Sequence, residues 1–344
     1  MSDKHIKQIR DLLGDIVPAQ GSQKKKKVAK KKRAIKKVAD REKALVKKGD
    51  LSQKKLDDLV ADALAIEAES AMDADKIGFM CRALTQATMP HKKTGGNEFT
   101  RRNGNFRMTI MAPSEVGLPY GTIPRLLMIW VATEAVTSRS KTLVLGTSLS
   151  AFMHDIDLDV TGGRWGSIPR LKEQMKRLFS STIIARYDDP EHTSTKVFPV
   201  VESSDLWWSP QKPGQAAIWD STLTLSDTFF EEIISNPVPV DLRAIAALKK
   251  SPLALDIYVW LTYRVSYLKG STAIPWALLQ AQFGAGYPST PRGLRNFKAS
   301  FLAALKKVHV VYPAVNVADS KNGLLLTQSK THIPKAKKPI KSIS

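Results

Sequence analysis

The stretch from Thr161 to Phe179, TGGRWGSIPRLKEQMKRLF, constrains the fold more than any other part of the chain. Gly162 and Gly163 require a turn, and Ser167 followed by Pro169 is typical of the first residues of a helix. Apolar residues then recur at helical spacing, which predicts a helix with one stripe against a core. This stripe consists of Ile168, Leu171, Met175, Leu178 and Phe179.

The opposite side of the predicted helix is basic. Arg170 and Arg177 are seven residues apart, Lys176 lies beside them, and Glu173 is an acid on the same side. A helix that buries one stripe and presents cations on the other fits the major groove of DNA. A solvated surface helix without a ligand would show the same pattern, so the rest of the chain must favour one or the other.

The loop before this helix has its own candidates for DNA contact. Arg164 is placed to hold a phosphate, and Ser167 to cap the helix and donate to a phosphate, because a helix N-terminus attracts anions. Trp165 lies between them. The prediction for Trp165 is a core position, with a wedge between helices as the functional alternative.

The net charge of the 344-residue chain is +21, from 53 Lys and Arg against 32 Asp and Glu. This surplus indicates a polyanionic partner, with nucleic acid first and an anionic membrane surface second. The longest apolar run, from Leu126 to Ala132, is too short to span a bilayer. The single cysteine, Cys81, excludes an internal disulfide and a multi-cysteine metal site. We expect its side chain to be buried as a small apolar group, and we expect the protein to be cytoplasmic.

Residues 24–37 (KKKKVAKKKRAIKK), the lysine block, hold ten basic residues among fourteen and no acid. Such a run repels itself, stays extended or transiently helical, and binds phosphates without reading sequence. A contribution to solubility alone is the alternative. The predicted phosphate contacts are Lys24, Lys25, Lys26, Lys27, Lys30, Lys31, Lys32 and Arg33.

The elements around the basic helix predict a winged helix. A helix begins near Thr122, a short strand covers 142–146, and a second helix precedes the Gly162 turn. After the basic helix, residues 181–189 and 195–208 alternate like paired strands. A helix-turn-helix followed by a β-hairpin is the winged-helix order, in which the hairpin touches the DNA backbone or minor groove. A generic α+β domain is the alternative.

Three long phrases in this region resemble plasmid-encoded RepA-type replication initiators: GLPYGTIPRLLMIWVATEAV, LVLGTSLSAFMHDIDL and TGGRWGSIPRLKEQMKRLF. The resemblance extends from about Met111 to Thr327. It implies winged-helix proteins that bind repeated origin sequences (iterons), open an AT-rich region and recruit host replication proteins such as the initiator and the helicase. The matching positions are Gly162, Gly163, Arg164, Trp165, Gly166, Arg170, Lys176 and Arg177.

A second basic helix is predicted in the C-terminal half. Two helices cover 241–249 and 252–268, a third covers 291–308, and a hairpin follows it as a second wing. The third helix has no acid, and its basic side predicts a second DNA-reading face. The candidates on that face are Arg292, Arg295, Asn296 and Lys306.

The predicted fold class is therefore α+β, with tandem winged-helix domains (helix-turn-helix plus β-hairpin wing) after a basic, partly disordered N-terminal region. The predicted ranges are 1–105 for the N-terminal region, 106–236 and 237–329 for the two winged helices, and 330–344 for a basic disordered tail. The wings and the tails are expected to add salt-sensitive affinity for DNA.

No pattern for catalysis is evident. A P-loop is missing, and the six histidines are scattered without metal-ligand spacing. We therefore expect no cofactor, no metal and no enzymatic activity, against the alternative of a nickase or primase. The leading hypothesis is a plasmid replication initiator that binds double-stranded origin DNA. A winged-helix transcriptional regulator is the alternative, and the choice between monomer and homodimer stays open.

Overall fold

The computed structural model describes residues 53–146, 148–206, 221–284 and 286–334. The helices in these ranges are α1 (Gln53–Ala68), α2 (Arg82–Gln86), α3 (Ile123–Ser138), α4 (Leu149–Asp155), α5 (Ser167–Phe179), α6 (Asp227–Ser235), α7 (Leu242–Leu248), α8 (Pro252–Tyr267), α9 (Trp276–Phe283) and α10 (Pro291–Val311). The strands are β1 (Ile77–Cys81), β2 (Glu98–Asn103), β3 (Phe106–Met111), β4 (Thr142–Val144), β5 (Thr182–Asp188), β6 (Thr193–Pro199), β7 (Val201–Asp205), β8 (Thr222–Leu225), β9 (Pro237–Asp241), β10 (Thr272–Ile274), β11 (Val317–Ser320) and β12 (Gly323–Leu326). The mixed helix and sheet composition predicted from the sequence is confirmed.

Four antiparallel sheets connect these strands, in the orders β2-β3-β5-β6, β4-β8-β7, β1-β9 and β10-β12-β11. One face of the four-stranded sheet is part of the core. Phe99, Ile110, Ile183 and Phe198 stand directly opposite one another on neighbouring strands, and all four are buried. Because side chains alternate between the faces of a strand, the residues between them lie on the outer face of this sheet.

Helix α3 is central, as its apolar sequence predicts. Ten of its sixteen residues are buried, and it packs against β1, α5 and α6. In the C-terminal half α8 has the same role, since it packs against α10 and β9. Buried residues from both halves belong to a single hydrophobic cluster, so the two basic helices rest on a shared core.

Hydroxyl caps fix the starts of four helices. The side chains of Ser148, Ser226, Ser251 and Thr290 each accept a hydrogen bond from a backbone N–H three residues later, at the starts of α4, α6, α8 and α10. Each cap of this kind typically stabilises a helix by about 1 kcal/mol. The cap at Thr290 sets the position at which the basic residues of α10 begin.

Two of the domain boundaries predicted from the sequence separate strands that pair with each other. The boundary between 105 and 106 lies in the turn between β2 and β3, which pair over their whole length. The boundary between 236 and 237 lies at the start of β9, which pairs with β1 from the predicted N-terminal region. Residues 53–105 therefore pack with the rest of the fold, because their strands find partners only there.

The first residues of the predicted disordered tail contact the rest of the fold. The Tyr312 hydroxyl donates to the Lys330 carbonyl at 2.7 Å, and the His332 ring stacks on Tyr312 at 4.6 Å. The Tyr258 hydroxyl also lies 2.7 Å from Nδ1 of His332. These contacts hold residues 330–334 against α8 and the end of α10, and the rest of the tail lies outside the described residues.

Candidate nucleic-acid interface

Residues 160–166, the glycine loop, are closed by Thr161 and Ser167. The Thr161 N–H donates to Oγ of Ser167 at 3.0 Å, and the Ser167 N–H donates to Oγ1 of Thr161 at 2.9 Å. The Ile168 N–H donates to the Thr161 carbonyl at 3.2 Å. Gly163 has a φ of +77°, a left-handed conformation that glycine adopts at little cost. The loop is therefore a closed turn that leads directly into α5.

The predicted roles of Ser167 as helix cap and phosphate donor do not fit the structure. Gly166 occupies the cap position, and Ser167 is the first residue of α5. Ser167 is only 4% exposed, and its hydroxyl donates to the Asp159 carbonyl and bonds to Thr161. Because the hydroxyl is buried and engaged within the loop, DNA has no access to it.

The core position expected for Trp165 is wrong, because the side chain is 82% exposed. Arg164 is also exposed, and its guanidinium lies 5.2 Å from the centre of the Trp165 ring. The structure thus brings Arg164 and an aromatic side chain together at the tip of the glycine loop. A DNA contact by Arg164 stays a prediction.

Arg170 and Lys176 are exposed on α5, as the sequence predicts. Nε of Arg170 donates to the Gly166 carbonyl at 3.2 Å, which holds the side chain near the glycine loop. Lys176 borders a surface groove of about 390 Å³ that Ser204 and Leu206 also line. Both side chains are accessible to a phosphate, and their DNA contacts stay predictions.

Arg177 does not project into solvent with Arg170. Its side chain is 13% exposed, and its Nη2 lies 2.9 Å from Oε1 of Glu173. Its Nη1 donates to the Leu118 carbonyl at 3.1 Å, and its guanidinium lies 5.5 Å from the centre of the Tyr120 ring. The predicted base-reading role of Arg177 is therefore replaced by a structural one, in which it ties α5 to the loop before α3.

A buried arginine holds the far end of that loop. Arg125 on α3 is 1% exposed, and its Nε and Nη2 donate to the two carboxylate oxygens of Asp256 on α8 at 2.7 Å each. Its Nη1 donates to the Gly121 carbonyl at 2.6 Å, and its Nη2 donates to the Met89 carbonyl at 2.7 Å. A chain of contacts therefore connects α5, the loop before α3, and α8.

A histidine completes this buried cluster. Nε2 of His91 lies 2.7 Å from Oδ2 of Asp256. Burial lowers the pKa of His91 below its usual range, although the hydrogen bond to Asp256 opposes this shift. Burial alone would raise the pKa of Asp256, but the charge of Arg125 and the bond from His91 outweigh it and hold that pKa below its usual range. Asp256 is thus a carboxylate at neutral pH, bound by a permanent cation.

On α10 the predicted residues divide into two groups. Arg292, Arg295 and Asn296 are exposed in the first two turns, where a DNA contact stays a prediction. Lys306 is half-buried farther along the helix. Lys298 on the same helix binds Asp319 at 2.8 Å and lies 5.0 Å from the centre of the Trp276 ring. The accessible positive charge of α10 is thus concentrated at its N-terminal end.

The tip of the β5–β6 hairpin has the wrong charge for the predicted phosphate contact. Asp188, Asp189 and Glu191 lie at or beside this turn. Asp188 is bound by Arg186 at 2.7 Å, and Oδ1 of Asp189 accepts the backbone N–H groups of Glu191 and His192. These acids repel a phosphate, so any contribution of this hairpin to DNA affinity must come from its strands.

Three arginines that the sequence did not identify as neighbours form a row, the arginine row, on the outer face of the four-stranded sheet. Arg102, Arg107 and Arg186 occupy directly opposed positions on β2, β3 and β5. Like charges in such positions destabilise a sheet. The buried Nε of Arg107 finds no hydrogen-bond acceptor among the described residues. The signal for this hairpin is Gly104-Asn105 between two alternating segments, a pattern that favours a two-residue hairpin turn.

Other sequence predictions concern chemistry and location. Cys81 is fully buried, as expected, and burial raises the pKa of its thiol to about 12. Within 53–146, 148–206, 221–284 and 286–334, no group of three or more His, Cys, Asp or Glu side chains is arranged to hold a metal ion. In the same ranges every helix is too short or too polar to serve as a membrane span. The lysine block, with its eight predicted phosphate contacts, lies outside the described residues.

Residues 118–277 match the family model described as "Plasmid encoded RepA protein". The resemblance to plasmid-encoded RepA proteins is confirmed. The matched segment contains the glycine loop, α5 with Arg170 and Lys176, and both partners of the Arg125–Asp256 pair. The second basic helix, α10, lies beyond this RepA segment.

No curated protein matches the chain. A crystal structure of selenomethionine derivatives of domains 2 and 3 of RctB aligns with a TM-score of 0.46 and 11% sequence identity, and the alignment covers 73% of this chain and 96% of that chain. A second crystal structure of RctB domains 2–3 aligns with a TM-score of 0.42 and 11% identity, covering 71% of this chain and 94% of that chain.

Proposed function

We propose that this chain is a plasmid replication initiator that binds repeated origin DNA and acts without catalysis. The observation that carries the proposal is the match of residues 118–277 to plasmid-encoded RepA proteins, because that segment contains the exposed basic face of α5. The net charge of +21 agrees with a polyanionic partner.

In this proposal each half of the fold is a winged helix. Helix α5 is followed by the β5–β6 hairpin, and α10 is followed by the β11–β12 hairpin. Each basic helix enters one segment of the major groove, so the two together cover a long site. Arg170 and Lys176 act in the first module, and Arg292, Arg295 and Asn296 act in the second.

Contacts to phosphate come from several places. Arg164 contributes at the glycine loop, and the lysine block contributes in a sequence-independent way. The arginine row contributes from β2, β3 and β5, where Asp188 already pairs with Arg186 and a bound phosphate would relieve the repulsion between Arg102 and Arg107. These contacts position the protein on DNA, whereas base edges in the grooves supply the sequence preference.

Initiation then follows from deformation of the bound DNA. Flexible, easily unstacked base steps near the site lower the cost of bending and opening. Recruitment of the host initiator and helicase is part of the proposal, and so is a cytoplasmic location. A homodimer that represses and a monomer that initiates would extend it.

A footprint of the purified protein on the DNA that flanks its own gene, at about 0.15 M salt, tests the proposal. We expect regular protections at a fixed repeat with strand opening nearby. A single protected palindrome over the promoter, without opening, would instead show a winged-helix transcriptional regulator. An assay for Mg²⁺-dependent cleavage of supercoiled origin DNA tests the nickase alternative, and we expect no nicked product.

A further inference from the structure

We propose that Trp165 is a stacking platform for an unpaired base of single-stranded DNA. This inference rests on the proposed function and deepens it, because it assigns a separate ligand to the glycine loop. Opening an origin exposes unpaired bases, and base–aromatic stacking is a common way to hold them. Four features of the loop lead to this assignment.

The first feature is the exposure of Trp165 compared with other tryptophans of the described ranges. Trp130 packs edge-on against Phe152 at 5.0 Å, and Trp260 is 3% exposed. Trp276 packs against Phe301 at 5.6 Å. Trp165 is 82% exposed. Tryptophan offers the largest apolar surface of any side chain, so leaving it in water forfeits stabilisation that a ligand can recover.

The second feature is that the loop holds Trp165 in place. The Thr161–Ser167 hydrogen bonds close the loop on one side of it. The Gly166 N–H donates to the Gly163 carbonyl at 3.0 Å, and a Cβ atom at Gly166 would collide with the carbonyl of Gly162. Because these contacts already fix the loop backbone at Trp165, the loop loses little backbone conformational entropy when it binds a ligand.

The third feature is the local charge. Arg164 carries a positive charge 5.2 Å from the ring centre, and Arg170 is held next to the loop through Gly166. The acid on the exposed side of α5, Glu173, is bound by Arg177. A nucleotide that stacks on Trp165 therefore finds cations for its phosphate.

The fourth feature is the geometry of the ring itself. Arg164 occupies one face of the indole, so the exposure of Trp165 leaves the other face open. A flat, open face fits a flat ligand. In a duplex both faces of each base are covered by its neighbours, whereas an unpaired base offers a free face. The geometry therefore favours single-stranded DNA over duplex DNA.

The test compares the full chain with Trp165→Leu, which keeps an apolar side chain, and Trp165→Phe, which keeps an aromatic ring. Binding to a short oligothymidylate and to a hairpin-closed duplex is measured by anisotropy. We expect Trp165→Leu to lower the affinity for oligothymidylate by about tenfold and Trp165→Phe by less than about threefold. The affinity for the duplex should stay within about twofold for both. Quenching of indole fluorescence by oligothymidylate should be smaller in Trp165→Phe than in the wild-type protein.

The possible outcomes are distinct. Equal losses on both DNAs would mean that Trp165 contacts duplex DNA, and unchanged affinities would mean that it binds neither form; either result overturns this inference while leaving the proposed function intact. A wild-type chain that binds neither DNA would overturn the proposed function together with the inference. Because Trp165 is exposed, we expect equal thermal midpoints for all three proteins, which separates lost binding from lost folding.

Discussion

Helices α5 and α10 both carry exposed basic side chains, but neighbouring elements hold them in different ways. In α5, Arg177 is bound by Glu173 and the Leu118 carbonyl, and the exposed cations are Arg170 and Lys176. In α10, the exposed cations lie in the first two turns behind the Thr290 cap. The glycine loop precedes α5 and presents an exposed tryptophan beside a third cation, Arg164.

The difference shows that the position of an arginine relative to neighbouring elements decides its role. Arg170 and Arg177 lie on the same helix seven residues apart. The side chain of Arg170 is exposed, whereas that of Arg177 is mostly buried, with 13% of its surface exposed. On α5 the accessible charge extends from the loop along the helix, whereas on α10 it is concentrated at one end. The two helices therefore present different patterns of accessible charge.

The largest effect should come from the buried cluster on which both helices depend. Arg125 supports the loop that α5 contacts, and Asp256 lies on α8, which packs against α10. Arg125→Met leaves the Asp256 carboxylate buried and without its main partner. We expect the free energy of unfolding to fall by about 3–5 kcal/mol, as measured by urea denaturation at pH 7.

A surface ion pair provides the matched control for this variant. Lys141 binds Asp227 at 2.7 Å, and both side chains are well exposed. Lys141→Met should leave the free energy of unfolding nearly unchanged, because solvent screens an exposed ion pair. Similar losses in the two variants would show that the buried cluster is no more important than a surface pair.

The next prediction concerns whether the two helices contact different parts of the origin DNA. Arg292→Ala with Arg295→Ala removes the exposed arginines of α10, and Arg170→Ala with Lys176→Ala removes the exposed cations of α5. We expect each double variant to lose about tenfold to a hundredfold in affinity for origin DNA, with unchanged thermal stability. Footprints should show each variant losing a different part of the protected site. Loss of the same protections in both would contradict one module for each helix.

A smaller effect distinguishes the internal arginine from the exposed ones. Arg177→Ala removes hydrogen bonds between α5 and the loop before α3. It should therefore lower the free energy of unfolding by about 1–2 kcal/mol in urea denaturation. Arg295→Ala is the control and should leave that free energy unchanged. If Arg177→Ala instead reduces DNA affinity while the free energy of unfolding stays constant, Arg177 contacts DNA after all.

The last effect concerns the end of α10 and depends on pH, so that it is small for each pH unit. Burial lowers the pKa of His332 to about 4, from an ordinary value of 6.5. Between these values the unfolded chain binds a proton at His332 and the folded chain does not, so stability falls as the pH is lowered from 6.5 towards 4. In His332→Gln the free energy of unfolding should depend less on pH in this window, by at most about 1.4 kcal/mol per pH unit.

Urea denaturation at a series of pH values measures this slope, with the exposed His192→Gln as the control. Above pH 7 the slope should be the same in all three proteins, because His332 is then neutral in both the folded and the unfolded chain. A slope in His332→Gln that equals the wild-type slope between pH 4 and 6.5 would contradict a buried, neutral His332.

Much of the fold could be predicted from the sequence, because its signals are local. The apolar spacing of α5 depends on residues a few positions apart. The pairing of β1 with β9 could not be predicted in this way, since nothing near Ile77 identifies Asp241 as its partner.

The candidate interface was predicted only in part, for the same reason. The sequence shows that Arg170 and Arg177 share a helix, but the Leu118 carbonyl that binds Arg177 comes from a distant loop. Trp165 was expected in the core because tryptophan is usually buried, whereas the closed glycine loop turns it outward. The arginine row depends on the register of three strands, which composition does not reveal.

The pairing of β1 with β9 also delays the completion of this sheet during synthesis of the chain. Strand β1 leaves the ribosome well before its partner, which is encoded roughly 160 residues later. At typical translation rates this delay is on the order of ten to thirty seconds. During that time the apolar segment IGFMC has no strand to pair with, although α3 and α5 are already available to fold. The nascent chain thus carries an unpaired apolar strand for nearly half of its synthesis. Chaperones that bind extended apolar segments can act on it during that interval.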